Sequence, residues 1–342
     1  MINKTKLIFT TLTTLLFLYI NTVTGQNSSK WIRPISDSIS IPIWGHQQGI
    51  RVGIAPTPGP RGLLRIFTPY LGHKEDKVFN FIALEPISKG STERGFSELE
   101  MSQLDNVRGK RFWSSNDSIC KDSPSLLQHS SGIVENIDGI ETLTLYIFSE
   151  TFENGAKPFV RLRFYEDNIY EFELSTYTCS ESVPLEHFIL TATMGNYARL
   201  RNLYLNDTIK SSLKLWSDYN DNHFTQHDVT FVSQMIKDIK GGVYFIAAPD
   251  EKDPVNVKYD KSTRINWKYY GKKATQYWYS PNPNKNLTGL VNGRYTYWGG
   301  KAPIPGGVSF ENFEFVTPFE SGEIFIFGVT PLSPDAFIEQ IN

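Results

Sequence analysis

Only two cysteines, Cys120 and Cys179, occur in 342 residues. That scarcity excludes a disulfide-scaffolded fold. With no CxxC spacing, it also excludes a zinc ribbon or a dithiol redox site. The two thiols are either free or paired with each other; pairing needs a Cα separation that a sequence does not carry. Charge of one sign is not in excess: 34 Lys and Arg stand against 36 Asp and Glu. A nucleic-acid partner would need a basic face and a polybasic membrane anchor a basic cluster, and neither is there. Phosphate loop, dinucleotide fingerprint, nucleophile-elbow serine and HExxH are all missing. No cofactor and no metal are therefore expected.

Long apolar runs are equally scarce. Leu7 to Ile20 is too short and too broken by threonine to read as a membrane span. It follows the basic Asn3-Lys4-Thr5-Lys6 and precedes the small residues Val23 and Gly25, so 1–25 reads as a secretory signal peptide. No Cys follows to take a lipid anchor. The expectation is a secreted or periplasmic protein with no membrane insertion once the signal is removed. About 317 residues remain, with 36 acids and two fewer bases than the whole chain. A chain of that length buries a sizeable core without disulfides. One large domain over 26–342 is expected. A weak boundary near Pro254 is marked by the charged Asp250-Glu251-Lys252-Asp253.

Aromatic residues are abundant: 7 Trp, 17 Tyr and 23 Phe. Core filling accounts for most of the Phe. Several Trp and Tyr sit instead among Arg, Asn, Gln and Gly, a mixture that suits sugar rings, which present an apolar face and a rim of hydroxyls.

Period-two alternation dominates the rest. Lys157 to Tyr165 and Ile169 to Ser175 alternate around the turn Asp167-Asn168 and predict a hairpin. Similar readings place strands at Leu63–Phe67, Val78–Ala83, Leu143–Phe148, His187–Thr193, Val229–Val232, Val243–Ala247, Gln276–Tyr279, Arg294–Trp298, Val308–Phe315 and Glu323–Val329. So many short strands predict an all-β fold, an antiparallel β-sandwich or supersandwich with few short helices. The best helix follows Ser333 as cap and Pro334 as first residue; Val232–Ile239 is a weaker one. The polar stretch from Lys89 to Asp138 reads as a long excursion or a lid.

Six groups of residues are candidates for chemistry. Pro56-Thr57-Pro58-Gly59-Pro60-Arg61 is a stiff turn that presents Arg61, with Arg65 on the next strand; a fixed Arg binds carboxylate or sulfate bidentately. Tyr197, Arg199 and Arg201 share one face if their segment is extended. A Tyr beside Arg has a depressed pKa and suits proton abstraction α to a carboxylate. The plainer alternative is a strand with a Tyr and Arg solvent face. Gln276, Trp278, Arg294, Tyr297, Trp298 and Glu311 form a possible sugar platform, or else aromatic core with exposed acids. His46 beside Trp44 is the histidine best placed for acid–base work; His73, His129 and His187 are isolated. His223 and His227 have the spacing of a helical metal pair, but Asp218 to Asp228 reads as a solvated loop. Glu85, Glu98, Glu100, Glu150, Glu153, Glu311 and Glu314 offer the carboxylate pair a glycosidase needs, without showing which of them meet.

The chain resembles secreted polysaccharide-utilisation proteins of Bacteroidetes. The resemblance rests on the leader, the Asn/Lys/Ile-rich style and the aromatic strand blocks. The tripeptides Asp37-Ser38-Ile39, Asp117-Ser118-Ile119 and Asp207-Thr208-Ile209 look like that phylum's short O-glycosylation signal. The segments Pro60–Leu64, Gly195–Arg201 and Ile304–Glu314 look like signature blocks, and no residue role is carried over from them. The expected partner is a poly- or oligosaccharide. The chemistry the sequence favours is β-elimination at a uronic acid. Tyr197 or His46 would be the base and Arg199 with Arg61 or Arg201 would stabilise the enolate; Trp44, Arg65 and the platform would bind sugar. A glycoside hydrolase using a carboxylate pair and a non-catalytic glycan-binding protein are the alternatives.

Overall fold

Alternation decides the architecture. Along Pro158–Tyr165, Val160, Leu162 and Phe164 are buried while Arg161, Arg163 and Tyr165 are half-buried. A pleated strand sends successive side chains to opposite faces, so a sheet of such strands must cover its apolar face with another. The computed structural model describes residues 30–35, 40–71, 78–121, 125–193, 195, 197–250, 274–297 and 302–342. In it Trp31–Asn342 form one compact unit. The leader 1–25, His73, Trp298, the tripeptide at Asp37 and the possible boundary near Pro254 lie outside the described residues.

The fold is an all-β sandwich. Its first sheet has nine strands, in the order β1 (Trp31–Ile32), β2 (Ile43–His46), β3 (Arg51–Gly53), β4 (Leu64–Phe67), β5 (Val78–Ser88), β11 (Leu185–Thr193), β19 (Ser309–Pro318), β18 (Thr288–Arg294) and β14 (Asp228–Phe231). The second has eleven. Its path is β13 (Ile209–Ser211), β12 (Leu200–Tyr204), β16 (Val243–Pro249), β17 (Thr275–Ser280), β20 (Ile324–Thr330), β10 (Glu171–Thr178), β9 (Pro158–Tyr165), β8 (Ile140–Ser149) and β6 (Phe112–Ser115). Beside that path, β15 (Ile236–Lys237) pairs with β16 and β7 (Ile133–Ile137) with β8. Neighbouring strands pair antiparallel. Ile82, Leu84, Leu190, Phe313 and Phe315 of the first sheet pack against Leu145, Leu162, Phe172, Phe245, Trp278 and Phe327 of the second. Hydrogen bonds also cross this core, from Asn80 Nδ2 to Gln276 Oε1 at 2.6 Å and from Trp278 Nε1 to Phe313 O at 3.0 Å.

Two short helices are present among the described residues, α1 (Ser212–Leu215) and α2 (Pro334–Ile341). Ser333 Oγ accepts the Ala336 amide at 3.3 Å, the expected cap, and Phe337 of α2 packs on Ile246 and Tyr277 on the outside of the second sheet. Cys120 and Cys179 are joined in a disulfide, with Cα atoms 5.9 Å apart, beside a cluster of Trp113, Phe148 and Phe159.

Three local expectations give way to tertiary structure. The strand expected at Arg294–Trp298 lies one stretch earlier, at Thr288–Arg294, because β18 pairs with β19 in that register. Val232–Ile239 is a single 3-10 turn over Val232–Gln234 followed by β15. Tyr197 to Arg199 form a turn, with Arg199 at φ 51°, and extended backbone resumes only at Leu200.

Candidate functional site

The outward face of the first sheet carries charge in the middle of its strands. On β5, Leu84 points to the core and Glu85 away from it; on β19, Phe313 and Phe315 point in and Glu314 out. Register brings these outward positions together: Thr191 of β11 lies opposite Glu314, and its neighbour Ile189 opposite Glu85. Arg94 reaches between the two acids. Its Nε pairs with Glu85 Oε2, and its Nη2 lies 2.5 Å from Glu314 Oε2 and 3.3 Å from Thr191 Oγ1. Beyond Glu314, His227 Nε2 lies 3.7 Å from Glu314 Oε1 and 3.2 Å from Asn292 Nδ2 of β18. A continuous polar path thus crosses four strands.

This path floors a cleft of about 740 Å³. On the β5 side its lining includes Pro60, Arg61, Arg94, Phe96, Glu98 and Arg108; on the β18 side it includes Phe224, Thr225 and His227. The first group comes from the 89–138 excursion and the proline-rich turn, and both are firmly held. Buried Arg65 donates to the carbonyls of Pro58 at 2.9 Å, Gly59 at 3.1 Å and Pro60 at 2.6 Å, so the turn hangs on one guanidinium. Ser97 Oγ donates to Gly62 O at 2.6 Å and accepts from Leu84 N at 3.0 Å. Glu150 accepts from Ser102 Oγ, Gln103 N and Arg111 N, at 2.7, 2.6 and 2.6 Å. Glu100 meets Lys110 Nζ at 3.1 Å.

The site's electrostatics are set by burial. It pushes the Glu98 carboxyl up to about 7; Arg94 and Arg108 pull against that and Glu314 adds to it. Glu98 Oε2 is sealed from water without a hydrogen-bond partner among the described residues. Burial also raises Glu85 well above the usual carboxylate range, opposed chiefly by Arg94. For Arg94 burial works against the charge, but Glu85 and Glu314 outweigh it and hold the guanidinium charged. The cleft therefore combines an acid raised to about 7, Glu98, with two acids, Glu85 and Glu314, that share Arg94.

Of the residues nominated from sequence, Arg61, Glu85, Glu98, Glu314 and His227 line this cleft. Arg61 also pairs with exposed Asp105 at 3.1 Å. The others lie elsewhere. Tyr197 is 1% exposed and packs on Tyr297, equally buried, with ring centres 5.2 Å apart. A phenol enclosed in that way does not reach a polymer. Arg199 is buried in the turn before β12, and Arg201 pairs with Asp250 at 2.9 Å while donating to Pro305 O. His46 is buried against Trp31, with ring centres 4.8 Å apart, and burial brings its pKa down to about 4. Trp44 and Trp278 have no exposed surface; their indole nitrogens donate to Ser130 O at 2.9 Å and Phe313 O at 3.0 Å. Gln276 is buried in the interlayer bond to Asn80. Glu311 is the extra residue of a bulge, since Asn292 pairs with Asn312 and Gly293 with Phe310, and it is 1% exposed. Arg294 serves the cleft indirectly: its guanidinium lies 4.9 Å from the Phe224 ring centre and donates to Asn222 O at 2.6 Å. Of the remaining acids, Glu100 and Glu150 brace the excursion. His223 is exposed, 4.0 Å from Asp221, and His227 turns to Glu314, so the pair does not converge on a metal.

Sequence reading missed Arg94, Thr191, Asn292 and Phe224. Arg94 and Glu98 do fall in one short run, Arg94-Gly95-Phe96-Ser97-Glu98, inside the stretch expected to cover a site. The chain matches no protein-family model, no curated protein and no solved structure.

Proposed function

We propose that this chain is a secreted or periplasmic carbohydrate-active enzyme that hydrolyses glycosidic bonds in an acidic or complex polysaccharide. The observation that carries the reading is the meeting of Glu98 and Glu314 in one cleft, the first kept protonated by burial and the second paired with Arg94. Glycoside hydrolysis needs those two states: an acid to protonate the leaving oxygen, and a carboxylate to act on or through water at the anomeric carbon. Glu98 is the acid. Glu314 is the partner carboxylate, and Arg94 fixes its orientation. Glu85, held beside it by Arg94, suits a hydrogen bond from a sugar hydroxyl. Phe96 and Phe224 suit contact with the apolar faces of sugar rings. Arg61 and Arg108 suit a carboxylate or sulfate on the polymer. The Cys120–Cys179 disulfide supports an oxidising compartment. β-Elimination, which the sequence alone favours, loses support because Tyr197 and His46 are enclosed away from the cleft.

The test is incubation with uronate-containing and neutral polysaccharides, following reducing ends and the ultraviolet absorbance of unsaturated uronate together. Reducing ends without absorbance are expected, and Glu98→Gln and Glu314→Gln should each lower the rate by about a thousandfold. Absorbance rising with reducing ends would instead assign a lyase, with His227 as the only histidine among the described residues that lines the cleft. Binding without turnover across the panel would leave a glycan-binding protein.

A further inference from the structure

Next to the cleft lies a second cavity of about 450 Å³, and Thr225 and His227 belong to the lining of both. The far side of this cavity is formed by Trp216 and Tyr219. Both rings are half-buried, so each is anchored and still offers surface. Trp216 stands edge-on to Phe310 of the core, with ring centres 5.8 Å apart at 84°. Tyr219 Oη donates to Phe224 O at 3.0 Å, which ties the platform to the residue that walls the main cleft. Arg294 holds the same loop from the other side through Asn222 O and the Phe224 ring. Gln226 and Asp228 add polar groups to the lining, and Asp228 is fixed by Lys210 Nζ at 2.6 Å. The cavity thus has rigid aromatic faces, a few oriented polar groups and a shared wall with a carboxylate-bearing cleft.

We infer that Trp216 and Tyr219 form a second sugar subsite, so that the ligand is an oligosaccharide or polymer lying across both cavities with His227 beneath the junction. The inference rests on the carbohydrate reading of the main cleft and adds to it the length of chain that is recognised. Aromatic faces suit it because a pyranose offers them its C–H face, and anchored rings lose little rotamer freedom on binding. Both cavities have the volume of small-ligand sites, and neither Trp216 nor Tyr219 lines the carboxylate cleft itself.

The experiment uses the mature chain carrying Glu98→Gln, so that turnover does not erode the ligand. Size-fractionated oligogalacturonates and xylo-oligosaccharides, from dimer to octamer, are titrated by calorimetry. Affinity is expected to rise with length for at least one series. Tyr219→Ala, and separately Trp216→Phe, which keeps the core packing on Phe310, should each weaken the longer ligands by about tenfold while leaving dimers unchanged. Equal affinities in parent and variants at every length would overturn the inference, and so would the absence of binding by every probe. Turnover that survives Glu98→Gln while the length effect is lost in Tyr219→Ala would remove the acid assignment and leave the subsite standing. The reverse pattern would remove the subsite alone.

Discussion

Glu98 shows how one side chain carries both function and instability. Its carboxyl titrates at about 7 in the folded protein, against 4.5 as the ordinary value, and burial is the main cause. Between those two values the folded state holds a proton that the unfolded state has released. Stability therefore falls as pH rises from about 4.5 to about 7, and the penalty is complete above that window. Glu98→Gln removes the titration. The variant should be more stable than the parent at pH 8 by on the order of 3 kcal/mol, and equal to it at pH 4. Denaturant unfolding at the two pH values checks this; an equal difference at both would mean that Glu98 titrates normally. The parent's turnover should fall as pH rises through about 7, as the same proton leaves the catalytic acid. An activity loss together with an alkaline stability gain is the signature of a strained functional group.

At the scale of elements, the walls of the cleft depend on a few buried polar groups that hold irregular backbone. Glu150, immediately after β8, is 5% exposed and gathers three donors from the 102–111 stretch. Glu150→Ala would leave those donors without their acceptor and should destabilise the protein by about 3 kcal/mol, whereas Glu150→Gln, which keeps an acceptor oxygen, should lose about 1. Thermal unfolding measures the loss, and limited proteolysis should place early cleavage between Ser97 and Arg111. Cleavage elsewhere would mean that the excursion is held by other contacts. The sequence already spoke clearly where the signal is local: the 158–178 hairpin, the capped α2 and most strands follow from alternation, turn residues and Ser333-Pro334. It was silent where a long-range contact decides. Arg199 adopts φ 51° with no glycine to announce it, and the bulge at Glu311 exists only through the register of β18 on β19.

The whole molecule explains why the candidate site was only half legible. Glu85, Glu98 and Glu314 were each recognisable as acids in or beside strands, but their meeting depends on β5, β11 and β19 lying side by side in the first sheet. Alternation assigns a face and not a neighbour, so Arg94 had no visible partner. For the same reason Trp44 and Trp278, polar in their sequence surroundings, proved to be interlayer core. The arrangement also separates the stability of one region from the chemistry of another. The disulfide closes a chain separation of 59 residues and packs with Trp113, Phe148 and Phe159 beside the second sheet, and none of these residues lines the cleft. A cross-link over that span restricts the unfolded chain by about 4 kcal/mol on the loop-entropy account. Replacing both cysteines with serine should therefore lower unfolding stability by about that amount. Turnover and oligosaccharide affinity at a temperature where the variant is folded should stay within about twofold of the parent, because distant sites contribute independently. The comparison needs unfolding curves of the oxidised parent and the double variant, with activity measured on the same preparations. If activity fell in step with stability, the second sheet's aromatic cluster would be part of the machinery that shapes the cleft, and the two faces of the sandwich would have to be treated as one cooperative unit.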